Sequence, residues 1–372
     1  MNSRQYIKMA FQNLILPVVY RIGCLQKTNP QLVVFADAHH NSRPANMDLL
    51  AQACLKEGFR VEEIYLDYQK NPPLKVLKSM IRFMLVYARA GFVVICDNFL
   101  PAAGCRKRKG TRVIQLWHAC GSLKRFGYDT DDDIPAGYKG NVYRNTDLVT
   151  VSAPWCEQHF ASAMRLPGKH VRALGVSRTD RYYDPVWREQ ARDRFEKLYP
   201  EAAGKKIALW APTFRGSAAA PELIPFDAQA LQAQLGEDWY VIVSTHPHMK
   251  DGKVLITTEE LFVSADCLIA DYSSLIYEYL LVAQIMGDKH LVLYIPDYDT
   301  YIQKRGFYMD YSEIPGVQVR SFDELAGAVS EQAARTAPEE MQIALKQFLA
   351  KYMSACDGKS TERIMNRIRR GR

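Results

Sequence analysis

Apolar positions along this chain fall into short continuous runs set between longer amphipathic stretches. Leu32-Val33-Val34-Phe35, Phe92 to Cys96, Val113 to Leu116 and Leu148 to Val151 read as buried strands. Val61 to Tyr65 reads as a further strand. Between them, Asn46 to Glu57, Leu74 to Ala90 and Pro154 to Met164 repeat their apolar residues at helical spacing. Val171 to Gly175 closes this half. The pattern restarts at Lys206 to Trp210. Strands are expected at Tyr240 to Ser244, Cys267 to Ala270 and Leu291 to Ile295. Helices are expected at Ala228 to Leu235, Ser274 to Val282, after Phe322, and from Met341 to Met353 and beyond. Short apolar strands separated by helices predict parallel sheets covered on both faces. Two such series in tandem predict two doubly wound domains with a cleft between them, joined near Asp180 to Trp187.

The N-terminus breaks the alternation. Ile7, Phe11, Leu14, Ile15, Val18 and Ile22 share one helical face, edged by Arg4, Lys8 and Arg21, and Pro17 is expected to kink or interrupt it. Two readings stay open: an interfacial membrane helix, or a helix docked on its own domain. A length of 372 residues agrees with two domains. No apolar run is long enough to span a bilayer, and no cleavable signal pattern opens the chain. The 8 cysteines are scattered without a CxxC pair, which reads as reduced thiols in a cytoplasmic protein. The formal charge of +7 points to anionic partners. Arg106-Lys107-Arg108-Lys109 forms one basic cluster, and a second lies among Arg363, Arg367, Arg369, Arg370 and Arg372. A nucleic acid, an anionic membrane or plain solvated faces would each suit them. The clusters lack the interleaved aromatics of a base-stacking surface, so nucleic acid is not the expected partner.

Candidate chemistry sits where strands end. Val113 to Leu116 runs into Trp117-His118 and the Gly-containing, basic loop Gly121 to Gly127. A histidine at such a place can take a proton from a hydroxyl near neutral pH; a structural histidine at a loop entry is the competing reading. Trp210-Ala211-Pro212-Thr213-Phe214-Arg215 closes another strand, and Thr213 with the planar fork of Arg215 suits phosphate oxygens. Thr245-His246-Pro247-His248 closes a third; it lacks the ligands that would complete a metal site, so His246 is read as aimed at a donor phosphate or leaving group. After Cys267 to Ala270 come Asp271-Tyr272-Ser273-Ser274, then Glu278 one turn later on the same face. Hydroxyls and free N–H groups at a helix start make an anion site, and a carboxylate one turn in can meet ribose hydroxyls; a plain Ser N-cap is the alternative. Gly358-Lys359-Ser360 resembles a P-loop fragment, but Met353 stands where the first glycine is required. No GxGxxG motif appears.

Taken as an ordered set, these motifs resemble the CDP-glycerol glycerophosphotransferase family of teichoic acid synthesis. The set comprises Trp117-His118 with Leu123-Lys124-Arg125-Phe126-Gly127, Gly175-Val176-Ser177-Arg178-Thr179-Asp180, Ala211 to Arg215, His246-Pro247-His248, Asp271 to Ser274 and Arg305-Gly306-Phe307-Tyr308-Met309-Asp310-Tyr311. The resemblance implies a GT-B fold, with two Rossmann-like domains facing a central cleft. Residues 1–183 would be the acceptor-binding, membrane-facing domain and 184–372 the CDP-glycerol domain, with the last helix a candidate to pack back on the first. It implies that glycerol phosphate passes from CDP-glycerol to a hydroxyl of a polyprenyl-linked sugar acceptor, with CMP leaving. His118 would be the base and His246 a second catalytic group. Arg178, Thr213, Arg215, His246, Ser273, Ser274 and Glu278 would line the donor site. Arg106, Lys107, Arg108 and Lys109 would face an anionic membrane, making the enzyme peripheral on the cytoplasmic face of a bacterial cell membrane. No tightly bound cofactor or metal is expected, and a divalent cation is left open without being predicted. A CDP-ribitol transferase, a GT-B enzyme using a nucleotide sugar and a basic nucleic-acid-binding protein are the alternatives. The loop after His118 is one residue longer than the family's His-Gly-Thr-Pro-Leu-Lys, and Glu278 stands where the family commonly has Asp.

Overall fold

The computed structural model describes residues 11–131, 133–134, 141–213, 215–217, 220–222, 224–244, 255–334 and 339–371. The chain divides into two compact units. Met1–Ala119, Arg125–Asp180 and Ser354–Arg372 form the first; Cys120–Lys124 and Arg181–Met353 form the second.

In the first unit, strands β1 (Asn29–Asp37), β2 (Arg60–Tyr65), β3 (Ala90–Ile95), β4 (Arg112–Gln115), β5 (Thr146–Thr150) and β6 (Val171–Arg172) form a parallel sheet in the order β2-β1-β3-β4-β5-β6. Alternate side chains along each strand point to opposite faces. Leu32, Val34 and Ala36 meet the Leu16–Gly23 and Pro73–Tyr87 helices through Leu16, Tyr20, Phe83 and Tyr87. Val33, Phe35, Phe92 and Val94 meet the Ala45–Lys56 and Ser360–Arg369 helices through Leu50, Cys54, Ile364, Met365 and Ile368. Both faces are thus covered, which is why the strands read as continuous apolar runs rather than as alternating ones. The Ser360–Arg369 helix starts on Asp180, whose carboxylate accepts from the Ser360 and Thr361 N–H groups at 2.9 and 2.7 Å. That helix start already has its anion, in agreement with rejection of a P-loop there.

The second unit repeats the plan. Strands β7 (Lys206–Ala211), β10 (Trp239–Val243), β11 (Cys267–Ala270), β12 (His290–Tyr294) and β13 (Val317–Val319) form a parallel sheet in the order β10-β7-β11-β12-β13. Ala208, Trp210, Ile269 and Val292 pack on Leu231, Leu325 and Val329. A small antiparallel hairpin, β8 (Arg215–Ser217) with β9 (Ala220–Glu222), follows β7.

The N-terminal helix joins the two readings left open by the sequence. Leu16, Tyr20 and Gly23 dock it on the Pro73–Tyr87 helix; a Cβ at Gly23 would stand 2.7 Å from that of Ala88. Leu14, Ile15, Val18, Ile22 and Leu25 stay exposed on the outer side, Leu25 at 87%. Pro17 lies in the first turn of this helix, directly after the π-helical turn Phe11–Ile15, so the winding changes where the proline was expected to interrupt it. Ile7 lies outside the described residues. Among the described residues no helix is long and apolar enough to cross a membrane.

Candidate active site

In both sheets the strand order reverses between the first and third strands of the unit. Open parallel sheets bind ligands at the carboxyl ends of the strands beside such a reversal. In the first unit those ends carry Asp37 after β1, Asp97 after β3 and His118 after β4. His118 Nδ1 lies 3.2 Å from Asp97 Oδ2, and its side chain is 51% exposed. A carboxylate at Nδ1 fixes the tautomer that leaves the Nε2 lone pair free to accept a proton. Burial pushes the Asp97 carboxyl up, but the charge and hydrogen bond of His118, with His39 nearby, hold it well below the usual range.

The chain bends hard to deliver that imidazole. Trp117 sits at φ +57, a left-handed conformation rare for a bulky residue. Its N–H donates to Gln115 Oε1 at 3.0 Å, and its carbonyl accepts from Asn46 Nδ2 at 2.7 Å. Its indole stacks on the His118 ring at 4.5 Å. Beside this lies a second Asp–His pair. His40 Nδ1 meets Asp37 Oδ1 at 2.8 Å, and the His39 and His40 N–H groups donate to the same oxygen. The bond to Asp37 raises the His40 pKa against the effect of burial. Asp37 itself is pushed up by burial, yet its bonds from His40 and His39 hold it low.

At the second reversal the chemistry differs. Thr213 follows β7 and donates its N–H to Asp271 Oδ1 at 2.8 Å, while its buried Oγ1 has no partner among the described residues. Ser273 and Ser274 open the Leu275–Met286 helix and are half-buried. Arg215 gives Nε and Nη2 to Asp297 at 2.8 and 3.0 Å, and Nη1 to Asp271 and the Thr213 carbonyl at 2.8 and 2.7 Å. It lies over the rings of Tyr272 and Tyr301, 4.9 and 4.7 Å from their centres. Burial works against its charge, but Asp297 and Asp271 outweigh it and keep the guanidinium protonated.

Several sequence expectations change against this geometry. Arg178, read as a donor ligand, lies buried in the first unit; it donates to the His118 carbonyl at 2.9 Å and to Asn46 Oδ1, so it braces the bend that presents His118. Glu278, read as a ribose contact, is 0% exposed, and Tyr182 Oη donates to it at 2.8 Å. A helix that is apolar all round drew it into the core, out of reach of a ribose. Arg215 spends four of its N–H groups on the protein, leaving one for a ligand. In the basic cluster, Lys107 Nζ binds Asp147 and the Thr111 carbonyl, each at 2.9 Å. Arg108 donates to the Cys24 and Gln26 carbonyls at the end of the N-terminal helix and to the Ala88 carbonyl at the end of the Pro73–Tyr87 helix, where a cation is favoured. Only Arg106 and Lys109 of this cluster are exposed. His246 lies outside the described residues. Among the described residues no group of three His, Cys, Asp or Glu is placed to hold a metal ion. Asp97 and Asp37 were missed by the sequence reading; an Asp closing a buried strand was the available signal.

Two doubly wound units of this kind in tandem define the GT-B fold. Residues 18–370 match the family described as CDP-Glycerol:Poly(glycerophosphate) glycerophosphotransferase, and the chain belongs to it. The teichoic acid ribitol-phosphate primase of Bacillus spizizenii is 35% identical over 74% of each chain. The teichoic acid glycerol-phosphate primase of Bacillus subtilis is 29% identical over 85% of this chain and 82% of its own. Among solved structures, the wall teichoic acid polymerase TagF matches with a TM-score of 0.75 and 18% identity over 100% of this chain and 98% of its own, including a form with CDPG. At that identity the likeness shows the fold.

Proposed function

We propose that this enzyme transfers glycerol phosphate from CDP-glycerol to a hydroxyl of a polyprenyl-linked acceptor in teichoic acid synthesis. CDP-ribitol is the second reading, because the ribitol-phosphate primase is 35% identical to this chain. The observation that carries the chemistry is the half-exposed His118 with Asp97 at its Nδ1. His118 Nε2 takes the proton of the acceptor hydroxyl. The oxygen attacks the β-phosphorus, a new P–O bond forms, the anhydride bond breaks and CMP leaves. The Ser273-Ser274 helix start, the Thr213 hydroxyl and the remaining Arg215 N–H supply donors to the phosphate charge, the dominant need of phosphoryl transfer. His246 keeps its proposed part at the leaving phosphate. Incubation with CDP-glycerol, CDP-ribitol and nucleotide sugars, with CMP and UDP detection, tests the donor. CMP release from neither CDP-alditol overturns the reading. The proposal includes no tightly bound cofactor and leaves a freely exchanging divalent cation at the donor diphosphate open; turnover before and after chelation, with and without added Mg²⁺, tests for it.

The acceptor requires a bilayer surface. The exposed apolar strip of Leu14, Ile15, Val18, Ile22 and Leu25 runs along and just past a helix packed against Pro73–Tyr87, whose own exposed residues include Leu74, Lys75, Lys78, Arg82 and Leu85. An apolar strip on one helix and cations on its neighbour suit the boundary between acyl chains and anionic headgroups. The proposed location is the cytoplasmic face of a bacterial membrane, without spanning it. Val18→Glu with Ile22→Glu is expected to abolish co-sedimentation with anionic vesicles. Arg106→Ser with Lys109→Ser serves as the weaker comparison. Wild-type protein that stays in the supernatant at low salt overturns this part.

A further inference from the structure

The loop that follows His118 in the sequence belongs to the second unit and carries a hydroxyl without an assigned role. Ser122 is 4% exposed, and its Oγ has no hydrogen-bond partner among the described residues. A buried hydroxyl left unpaired is a standing cost to the fold and points to a ligand that would pair it. The loop is pinned on both sides of it. Gly121 lies at φ +65, and a Cβ there would stand 2.3 Å from the Tyr277 ring, so only glycine lets the loop lie on that ring. The Leu123 carbonyl accepts from the Tyr308 N–H at 2.9 Å, and Lys124 bridges Phe307.

Tyr277 follows Ser274 and Ser273 by three and four residues, on the same side of the helix. Helical side chains lean back toward the N-terminus. The ring that Gly121 touches therefore leans toward the helix start that presents Ser273 and Ser274, and Ser122 is the next residue along the loop that lies on this ring. We propose that Ser122 Oγ donates a hydrogen bond to a phosphate oxygen of the CDP-alditol held at this helix start. The inference rests on the donor reading given above. It makes the loop after the base a part of the donor pocket, and gives the longer loop of this chain a function.

Calorimetric titration of the full chain with CDP-glycerol and CDP-ribitol, beside thermal unfolding without ligand, tests it. Ser122→Ala is expected to weaken binding about 10- to 100-fold. The Tm of the free protein should hold or rise, because the unpaired hydroxyl is gone. Ser122→Cys, a weaker donor of similar size, should fall between. A lowered Tm in Ser122→Ala makes the residue structural and overturns the inference. Unchanged affinity, when Ser273→Ala with Ser274→Ala does weaken binding, overturns the Ser122 role and leaves the donor reading standing. A wild-type chain that binds neither CDP-alditol overturns both.

Discussion

The two units run their parallel strands in the same relative order, second, first, third, fourth, fifth, yet fill the reversal with different groups. At the first reversal, two carboxylates each hold an imidazole. At the second, hydroxyls and a helix start are presented while two carboxylates are consumed by Arg215. In the proposed reaction, one topology thus serves proton transfer in one place and anion binding in the other. The sheet supplies the place, and the residues just past its strands supply the chemistry.

That contrast predicts opposite signatures for mutations at the two ends. The largest effect is expected at His118. His118→Ala should cut kcat about 10²- to 10⁴-fold with donor affinity little changed. Asp97→Asn should follow in the same direction, with a loss of about 10-fold or more, since the tautomer is no longer fixed. Steady-state kinetics with a calorimetric Kd would show this; a large change in donor affinity with kcat intact would erase the distinction between the units. Next comes Arg215. Arg215→Met leaves the fully buried Asp271 without its cation, and truncating one partner of such a pair costs about 3–5 kcal/mol. Thermal unfolding should register the loss; a Tm like that of the wild type would return Arg215 to the role of a free phosphate ligand. Ser273→Ala with Ser274→Ala is expected to weaken donor binding about 10-fold, with unfolding unaffected. The smallest effect belongs to the second Asp–His pair. His40 is raised above its ordinary 6.5, so its contribution is full below that pH and is lost as pH rises through the higher folded value. Asp37 is lowered from 3.8, so its share is present above that value and lost in stronger acid. His40 is half-exposed, which limits the pair to under about 1 kcal/mol. His40→Gln should flatten the Tm profile above pH 6.5; an unaltered profile would show the pair to be neutral.

Much of the fold was legible because parallel strands buried on both faces carry runs such as Phe92-Val93-Val94-Ile95 and Cys267-Leu268-Ile269-Ala270. The hairpin at Arg215–Ser217, the short β13 and the Thr258–Ser264 helix carried no such run and were not foreseen. His118, Thr213, Ser273 and Ser274 were legible as strand-end residues. Their partners were less so. Asp97 meets His118 only because β3 and β4 are neighbours in the sheet, a fact that no local pattern holds. Arg178 and Glu278 were misplaced for the same reason. Each has a residue type suited to a ligand, and its burial was decided by distant segments, Asn46 for one and Tyr182 for the other.

The Ser360–Arg369 helix, which closes one face of the first sheet, has a consequence for how the protein is made. A chain emerges from the ribosome N-terminus first, and domains tend to fold as they appear. Here Val33, Phe35 and Val94 wait for Ile364, Met365 and Ile368. The first unit to be synthesised cannot finish burying its core until residues 360–369 are released. Until then the part of that face not covered by the Ala45–Lys56 helix is apolar surface open to chaperone binding, and to aggregation if synthesis stalls.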